Sequence, residues 1–198
     1  SDVLGRAGIQ LRQVPSDQLR RFDTSSGVLR LSATAPQSTQ AFQALHQYAL
    51  CHYGTLFDAT LDLARFQTEE ARSIARLGLA NYFAGAALLP YTSFLEAAQE
   101  DRHDIEKLAD RFGASVEQIV HRLSTLQRPG QKGVPFFFVR VDQAGTITKR
   151  HSAAPLQFAR YGGACPLWNV HRAFEPPSRL LRQLAETPDG VSYVCLAR

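Results

Sequence analysis

Residues 128–133 read Arg-Pro-Gly-Gln-Lys-Gly, and this stretch divides the chain of 198 residues into two parts. Proline lacks a backbone N–H and glycine has no side chain, so neither residue favours the interior of a helix or strand. Apolar residues before the stretch recur mostly at helical spacing, whereas residues after it include short strand-like segments. We predict an α+β protein: a mostly helical lobe at residues 1–127, then a small α+β lobe with a short antiparallel sheet at residues 128–198.

The composition narrows the class of protein. With 44% hydrophobic and 10% aromatic residues the chain can bury a core, which excludes disorder. No stretch approaches the roughly 18 apolar residues that a membrane span needs. Three widely spaced cysteines, Cys51, Cys165 and Cys195, fit neither a disulfide framework nor a zinc-binding CxxC pair. We expect a soluble, cytoplasmic protein with free thiols and no membrane partner. Because the chain starts at Ser1 and has no methionine, we also expect a fragment.

Two segments of the first part show helical periodicity. One apolar stripe holds Phe42, Leu45, Ala49, Leu50 and Tyr53, and another holds Ile74, Ala75, Leu79, Tyr82, Phe83 and Ala86. Capping signals mark further helices: Ser93 with Glu96, and Ser115 with Gln118, fit the capping-box pattern, and Gly113 is a typical helix stop.

Residues 104–127 resemble a helix-turn-helix unit in their spacing. The second helix offers only His121 and Arg122 as basic residues, and acidic residues crowd the unit. Because these carboxylates would repel DNA phosphates, a packed helical hairpin is the better interpretation than a DNA-reading unit.

The second part begins with strand signals. Residues 134–141 are rich in Phe and Val, residues 142–145 form a turn, and residues 146–149 supply the partner strand of a hairpin. Towards the end of the chain we predict a helix at residues 178–185 and a strand at residues 191–196.

The helix around His46 invites comparison with the zinc peptidase motif HExxH, which places two imidazoles and a carboxylate base on one helix. Here Gln47 stands in place of the base and Leu50 in place of the second histidine. His52, six residues after His46, lies on another face. Since an amide cannot take a proton from metal-bound water, we assign no catalytic and no metal-binding residue.

Basic residues cluster in the second part of the chain. Residues 1–127 carry 12 Lys/Arg and 14 Asp/Glu, whereas residues 128–198 carry 10 and 4, a net charge of +6. Aromatic residues are interleaved with the basic ones, so one pocket could combine phosphate binding with stacking on an adenine ring. Single-stranded nucleic acid would satisfy the same chemistry, and so would an ordinary solvated surface.

Residues 79–90, LANYFAGAALLP, resemble the helix of the IrrE/ImmA-like metallopeptidases that closes on a Leu-Met-Pro sequence. In active members an upstream helix supplies HExxH, and the start of this helix supplies an acidic ligand. Here Arg76, Leu77 and Gly78 occupy that acidic neighbourhood, and the upstream helix reads HQxxL. The resemblance therefore implies a dismantled peptidase site.

The later sequence resembles the RamB/PrpR group of short-chain fatty acyl regulators. The motifs that carry this resemblance are RFGASVEQIVHRLSTLQRPG at residues 111–130, VPFFFVRVD at 134–142, and GGACPLW at 162–168. The resemblance covers roughly residues 20–198. It implies the sensory region of a transcription factor whose N-terminal helix-turn-helix domain, absent from this fragment, binds promoter DNA. Such regulators control methylcitrate-cycle or glyoxylate-shunt genes, with acyl-CoA as the effector.

From these observations we expect a homodimer that requires no cofactor, is not an enzyme, and binds propionyl-CoA or acetyl-CoA. The candidate ligand-binding residues are Tyr48, Tyr82, Tyr91, Arg128, Arg140, Lys149, Arg150, Arg160, Trp168 and His171. Two alternatives stay open. One is a zinc peptidase that joins His46 with His52 or His103, and the other is a module that binds single-stranded nucleic acid.

Overall fold

The computed structural model describes residues 2–154, 168–175, 179–188 and 190–198. The chain forms two compact units, residues 1–126 and 127–198. The elements of the first unit are α1 (Asp2–Arg6), β1 (Gln10–Val14), β2 (Arg20–Asp23), β3 (Val28–Ser32), α2 (Gln37–His52), α3 (Gly54–Leu63), α4 (Glu69–Leu88), α5 (Tyr91–Glu100), α6 (Ile105–Phe112) and α7 (Val116–Ser124). Those of the second unit are β4 (Phe137–Val141), β5 (Ile147–Ser152), a 3-10 turn (Arg172–Phe174), β6 (Leu181–Glu186) and β7 (Ser192–Ala197). The predicted α+β class is confirmed.

A three-stranded sheet lies near the start of the first unit, in the order β1-β3-β2. The central strand β3 runs parallel to β1 and antiparallel to β2. Its Leu29 and Leu31 are buried and pack with Ile9 and with Ala44 of α2. The sequence pattern does not predict this sheet, because the edge strand β1 is almost wholly exposed and lacks an apolar alternation.

Helices α2 and α4 pack against each other through small residues. Ala49 on α2 and Ala80 on α4 are fully buried in one cluster, and their short side chains allow the two helices to approach closely. The predicted stripe on α4 is partly wrong, because Ile74 is 70% exposed and Tyr82 is 52% exposed. The buried face of α4 is narrower than the stripe and is centred on Ala80 and Ala84.

The caps of α6 and α7 are confirmed. Gly113 follows α6 in the left-handed conformation, with φ of 59°. The hydroxyl of Ser115 accepts from the backbone N–H of Gln118, whose side chain accepts from the backbone N–H of Ser115. These reciprocal bonds satisfy donors that the first turn of a helix leaves without partners.

The predicted capping box of Ser93 and Glu96 is wrong. Helix α5 begins at Tyr91, directly after Pro90, so Ser93 lies inside the first turn rather than before it. Its hydroxyl donates to the backbone carbonyl of Pro90 at 3.4 Å. Proline fixes φ near the helical value and starts the helix earlier than a serine cap would.

The first hairpin of the second unit, β4–β5, matches the predicted pair of strands with ends shifted by a few residues. The strands are antiparallel, with Arg140 opposite Lys149. Gly145 closes the turn between them with φ of 85°, and its N–H donates to the carbonyl of Asp142. A positive φ at this position favours glycine.

The predicted helix at residues 178–185 is wrong. Ser178 lies outside the described residues, and the segment that follows forms β6, which pairs antiparallel with β7 from Leu181 opposite Ala197 to Glu186 opposite Ser192. The spacing of leucines in this segment fits a helix, but pairing with a later strand overrides local propensity.

Candidate ligand-binding site

His46 occupies the position of the first metal ligand of HExxH and is only 3% exposed. The guanidinium of Arg20 on β2 donates to Nδ1 of His46. Because arginine has no acceptor atom, this nitrogen carries the lone pair of a neutral imidazole. Burial, followed by the charge of Arg20, lowers the pKa of His46 to about 4, and a hydrogen bond with the Leu77 backbone opposes the shift.

The neighbours of His46 on α2 do not complete a metal site. The amide of Gln47 is buried and donates to Sγ of Cys51 at 3.4 Å. Leu50 packs in the apolar cluster between α2 and α4. Nδ1 of His46 is bonded to a cation, and the position one helical turn later holds Leu50 instead of a second ligand, so these residues do not fit the zinc site of HExxH.

The neighbourhood from which active peptidases take an acidic ligand carries a basic residue here. Arg76 of α4 forms an ion pair with Asp58 of α3, with 2.6 Å between Nη1 and Oδ1, and Arg72 reaches both Asp58 and Asp62. These ion pairs connect α3 to α4, and they engage the carboxylates of Asp58 and Asp62. Within the described residues, no group of three or more His, Cys, Asp or Glu side chains could hold a metal ion.

The histidines of the peptidase alternative lie in separate surroundings. The exposed ring of His52 stacks on Tyr48, with centroids 4.6 Å apart. His103 lies in the loop after α5 with φ of 59°, and burial lowers its pKa. The structure therefore does not place His52 or His103 with His46 in a ligand set.

The three candidate tyrosines belong to the first unit but differ in their surroundings. Tyr48 is half-buried and packs on the core cluster of β3 and α2. Tyr82 faces solvent on α4. Tyr91 begins α5, and the guanidinium carbon of Arg122 lies 5.6 Å from its ring centroid. Contact of these tyrosines with a ligand stays a prediction.

Basic residues of the β4–β5 hairpin divide between its two faces. Arg140 and Lys149 are directly opposite in register, so their side chains project from the same face, whereas Arg150 pairs with Val139 on the other face. The ammonium of Lys149 lies 5.7 Å from the ring centroid of Phe138. We call Arg140, Lys149 and Phe138 the basic face; Arg140 and Lys149 also line an open cavity of about 420 Å³.

The other candidate residues of the second unit lie outside the β4–β5 hairpin in sequence. Arg128 is exposed at the unit boundary and contacts Gln131. Trp168 is half-buried, shortly before the 3-10 turn. The ring of His171 packs over Gly145, so close that a Cβ there would lie 3.1 Å from Cε1. The prediction for Arg160 falls outside the described residues, as does Cys165.

Three residues with structural roles escape sequence reasoning. The side-chain amide of Asn169 donates to the carbonyls of Leu181 and Cys195 and thereby pins β6 and β7. Arg20 meets His46 across 26 positions of sequence. The sequence around Asn169 or Arg20 gives no signal of these contacts, since they form only when distant segments fold together. Buried Arg122 donates from Nε to the carbonyl of Leu89 at 2.8 Å.

The fold of α6 and α7 supports the packed-hairpin interpretation. Arg122 is one of two basic residues on α7, and it is 4% exposed, so its guanidinium does not face solvent where a phosphate could bind. Ile119 and Leu123 on the same helix are also buried.

Among the described residues, no helix combines the length and apolar character that crossing a membrane requires.

Two family models together span nearly the whole chain. Residues 5–124 match the IrrE N-terminal-like domain, and residues 125–198 match the C-terminal domain of the short-chain fatty acyl coenzyme A regulator. The change from one model to the other lies within two residues of the boundary between the two compact units.

Similar proteins are named as regulators, two of them as transcriptional regulators. The chain is 68% identical over its full length to the propionyl-CoA carboxylase regulator of Cereibacter sphaeroides, covering 42% of that protein. It is 48% identical over 93% of its length to the HTH-type transcriptional regulator PrpR of Mycobacterium tuberculosis, and 46% identical over 91% of its length to RamB of the same species. The chain spans 38% of each of these two proteins.

A solved structure shares the fold. A Mycobacterium tuberculosis transcriptional regulator superposes with a TM-score of 0.91 at 47% identity, covering 97% of this chain and 59% of that one. These likenesses agree with the two family models and with the regulator motifs in the sequence. The chain therefore belongs to the IrrE N-terminal-like family through residues 5–124, and its residues 125–198 match the model of the C-terminal domain of the short-chain fatty acyl coenzyme A regulators.

Proposed function

We propose that the chain is the ligand-sensing part of a cytoplasmic bacterial transcription factor and binds a short-chain acyl-CoA, propionyl-CoA or acetyl-CoA, without hydrolysing it. The observation that carries the binding part of this proposal is that Arg140 and Lys149 lie opposite each other and line one cavity. The pairing of Arg20 with Nδ1 of His46 supports the absence of hydrolysis, because a cation occupies this nitrogen of the residue at the first HExxH position. The names of the similar regulators support the class of effector. A helix-turn-helix domain outside this chain would bind DNA at propionate or acetate metabolism genes of the methylcitrate cycle and glyoxylate shunt.

The basic face supplies the chemistry that a CoA nucleotide requires. Arg140 offers a planar, permanently charged donor for phosphate, and Lys149 adds a second cation on the same face. Phe138 presents an aromatic ring beside them. CoA carries a diphosphate, a 3′-phosphate and an adenine, so charge and stacking act on one ligand.

Control of DNA binding follows from differential affinity. An effector shifts an equilibrium between conformations only by the ratio of its affinities for them. The acyl-CoA must therefore bind one conformation of the dimeric regulator better than another, and the attached DNA-binding domains then change their affinity for the promoter.

Isothermal titration calorimetry of the 198-residue chain with propionyl-CoA tests the proposal. In thermal unfolding, the ligand at 100 times its dissociation constant should stabilise the fold by about 2.7 kcal/mol. This stabilisation raises the melting temperature by roughly 5 to 11 °C. Arg140→Ala combined with Lys149→Ala should weaken binding at least about tenfold, a loss of about 1.4 kcal/mol. Arg172→Ala, an exposed arginine of the same unit, is the matched control. No binding at millimolar propionyl-CoA or acetyl-CoA with the fold intact would refute the proposal.

Metal analysis separates the proposal from the peptidase alternative. Zinc at one equivalent per chain that is lost in His46→Ala would favour a peptidase with an unusual ligand set. The double variant Gln47→Glu with Leu50→His restores the HExxH letters but leaves Arg20 on His46, so we expect zinc affinity to rise only when Arg20→Ala is added.

Competition separates it from the nucleic-acid alternative. Fluorescence titration with single-stranded oligonucleotides should show weak binding that propionyl-CoA displaces, because both would use the basic face. Tight binding that falls steeply with salt and is insensitive to CoA would instead favour a nucleic-acid module.

A further inference from the structure

The outer face of the β6–β7 hairpin is an exposed apolar surface with charged ends. Residues alternate strictly between the two faces of the hairpin, and the outer face holds Arg182, Leu184, Glu186, Ser192, Val194 and Leu196. Leu184 and Val194 lie opposite each other in register and are 76% and 62% exposed. The opposite face is covered, since Asn169 binds both strands and Tyr193 contacts the ring of Phe137 edge-on.

An isolated pair of strands is marginally stable in water, so a hairpin with one bare apolar face gains stability when that face is covered. The charges on the face indicate what covers it. Arg182 lies at one end of β6 and Glu186 at the other, with Leu184 midway between them. When a second copy of this row runs in the opposite direction, its glutamate faces the arginine of the first row and the two leucines face each other.

We propose that the outer face of β6–β7 is a dimerisation surface that packs against the same face of a second copy of this chain. The two-fold axis lies between the faces and crosses the strands at right angles. It sets β6 over the β6 of the second copy in the opposite direction. Arg182 then meets the partner's Glu186, Glu186 meets the partner's Arg182, and Leu184 packs on the partner's Leu184.

The chemistry of the face favours this arrangement over the other two-fold stacking. An axis parallel to the strands would place Arg182 over the partner's Leu196 and Glu186 over the partner's Ser192, and each charge would lose water without gaining a counterion. Isologous contacts in which residue i meets j and j meets i are the rule for dimers with two-fold symmetry. The inference rests on this surface alone and does not depend on acyl-CoA binding.

The size of the face predicts weak association. Strands of six residues span roughly 20 Å, and a two-stranded face is smaller than the roughly 800 Å² per partner of a standard interface. We therefore expect a micromolar dissociation constant for the 198-residue chain, which sedimentation velocity can measure over about two decades of protein concentration.

Charge reversal makes the test specific. Arg182→Glu alone, and Glu186→Arg alone, each bring like charges together twice per dimer and should raise the dissociation constant at least about tenfold. The double reversal should restore the wild-type value. Leu184→Lys should abolish association, whereas Leu63→Lys, at an 85% exposed leucine of α3, should leave it unchanged.

Circular dichroism and thermal unfolding of each variant would confirm that the fold is kept. A chain that stays monomeric at high micromolar concentration would overturn the proposal. So would a dimer whose dissociation constant is the same in wild type and Arg182→Glu, or a double reversal that fails to recover association while folded. If the wild-type chain dimerises in this way but does not bind propionyl-CoA, only the proposed function is refuted.

Discussion

His46 shows how a single contact decides the chemistry of a residue. On α2 it stands where a peptidase would hold zinc, but Arg20 donates to its Nδ1 and burial disfavours its charged form. The imidazole is thereby held neutral as a structural acceptor. The same side chain, with a carboxylate partner in place of Arg20, would have its pKa raised instead.

The neutral state of His46 predicts a pH-dependent stability. Its folded pKa of about 4 lies below the unfolded value near 6.5, so the unfolded chain binds the proton more readily. The resulting stabilisation is complete above pH 6.5 and is lost as the pH falls towards 4, by at most about 3 kcal/mol at 1.36 kcal/mol per unit. Urea unfolding at pH 7, 6 and 5 measures this change.

His46→Gln supplies the comparison, because glutamine can accept from Arg20 but does not titrate in this range. The decline in unfolding free energy between pH 6.5 and 5 should be shallower in this variant than in the wild type. An unchanged slope would mean that other groups cause the pH dependence.

At the scale of elements, replacing a glycine by alanine raises or lowers stability according to the backbone angles at that position. Gly113 has φ of 59° at the end of α6, where a side chain would be strained. Gly78 lies inside α4, and a Cβ there would meet no atom within 4 Å. We expect Gly113→Ala to lower the free energy of unfolding by about 1 kcal/mol and Gly78→Ala to raise it by a similar amount. Denaturant titration of both variants checks the signs, and equal signs would contradict the backbone argument.

Two serines near helix starts provide a second matched pair. Ser115 caps α7 through its hydroxyl, whereas Ser93 lies inside the first turn of α5 and only donates back to a carbonyl. Ser115→Ala should cost about 1 kcal/mol of stability, and Ser93→Ala should be neutral within about 0.5 kcal/mol. A larger loss at Ser93 in thermal unfolding would restore the capping role that its sequence context suggests.

At the scale of the whole molecule, charge is divided between the two parts of the chain. The net charge of +6 in residues 128–198 and of −2 in residues 1–127 directs anions to the second part. This division matches the change of family model near residue 125. The helical elements and the excess of basic residues therefore belong to different stretches of the sequence.

This division predicts a salt-sensitive affinity for acyl-CoA. Raising NaCl from about 0.1 M to 1 M shortens the screening length from about 10 Å to 3 Å. Binding of propionyl-CoA should weaken several-fold over that range, as measured by calorimetry, while the unfolding midpoint of the free chain serves as the control. An affinity that holds or rises with salt would indicate recognition through apolar contacts rather than through the basic face.

Local sequence determined much of the organisation. Gly113, the Ser115 and Gln118 pair and the turn before Gly145 act within a few residues of themselves, so their roles follow from the chain near them. The motifs of the two families, and the replacement of the glutamate and second histidine of HExxH by Gln47 and Leu50, are likewise written in the sequence. These features depend on neighbouring backbone and need no distant partner.

Only the tertiary structure decided the features that join distant segments. The edge strand β1, the strand β6 in place of a helix, and the separation of Arg150 from Arg140 and Lys149 all depend on register between strands. The contact of Arg20 with His46 spans 26 residues and engages Nδ1 of the residue at the first position of HExxH. Strand pairing and buried polar contacts take their energy from partners far away in sequence, so no local pattern encodes them.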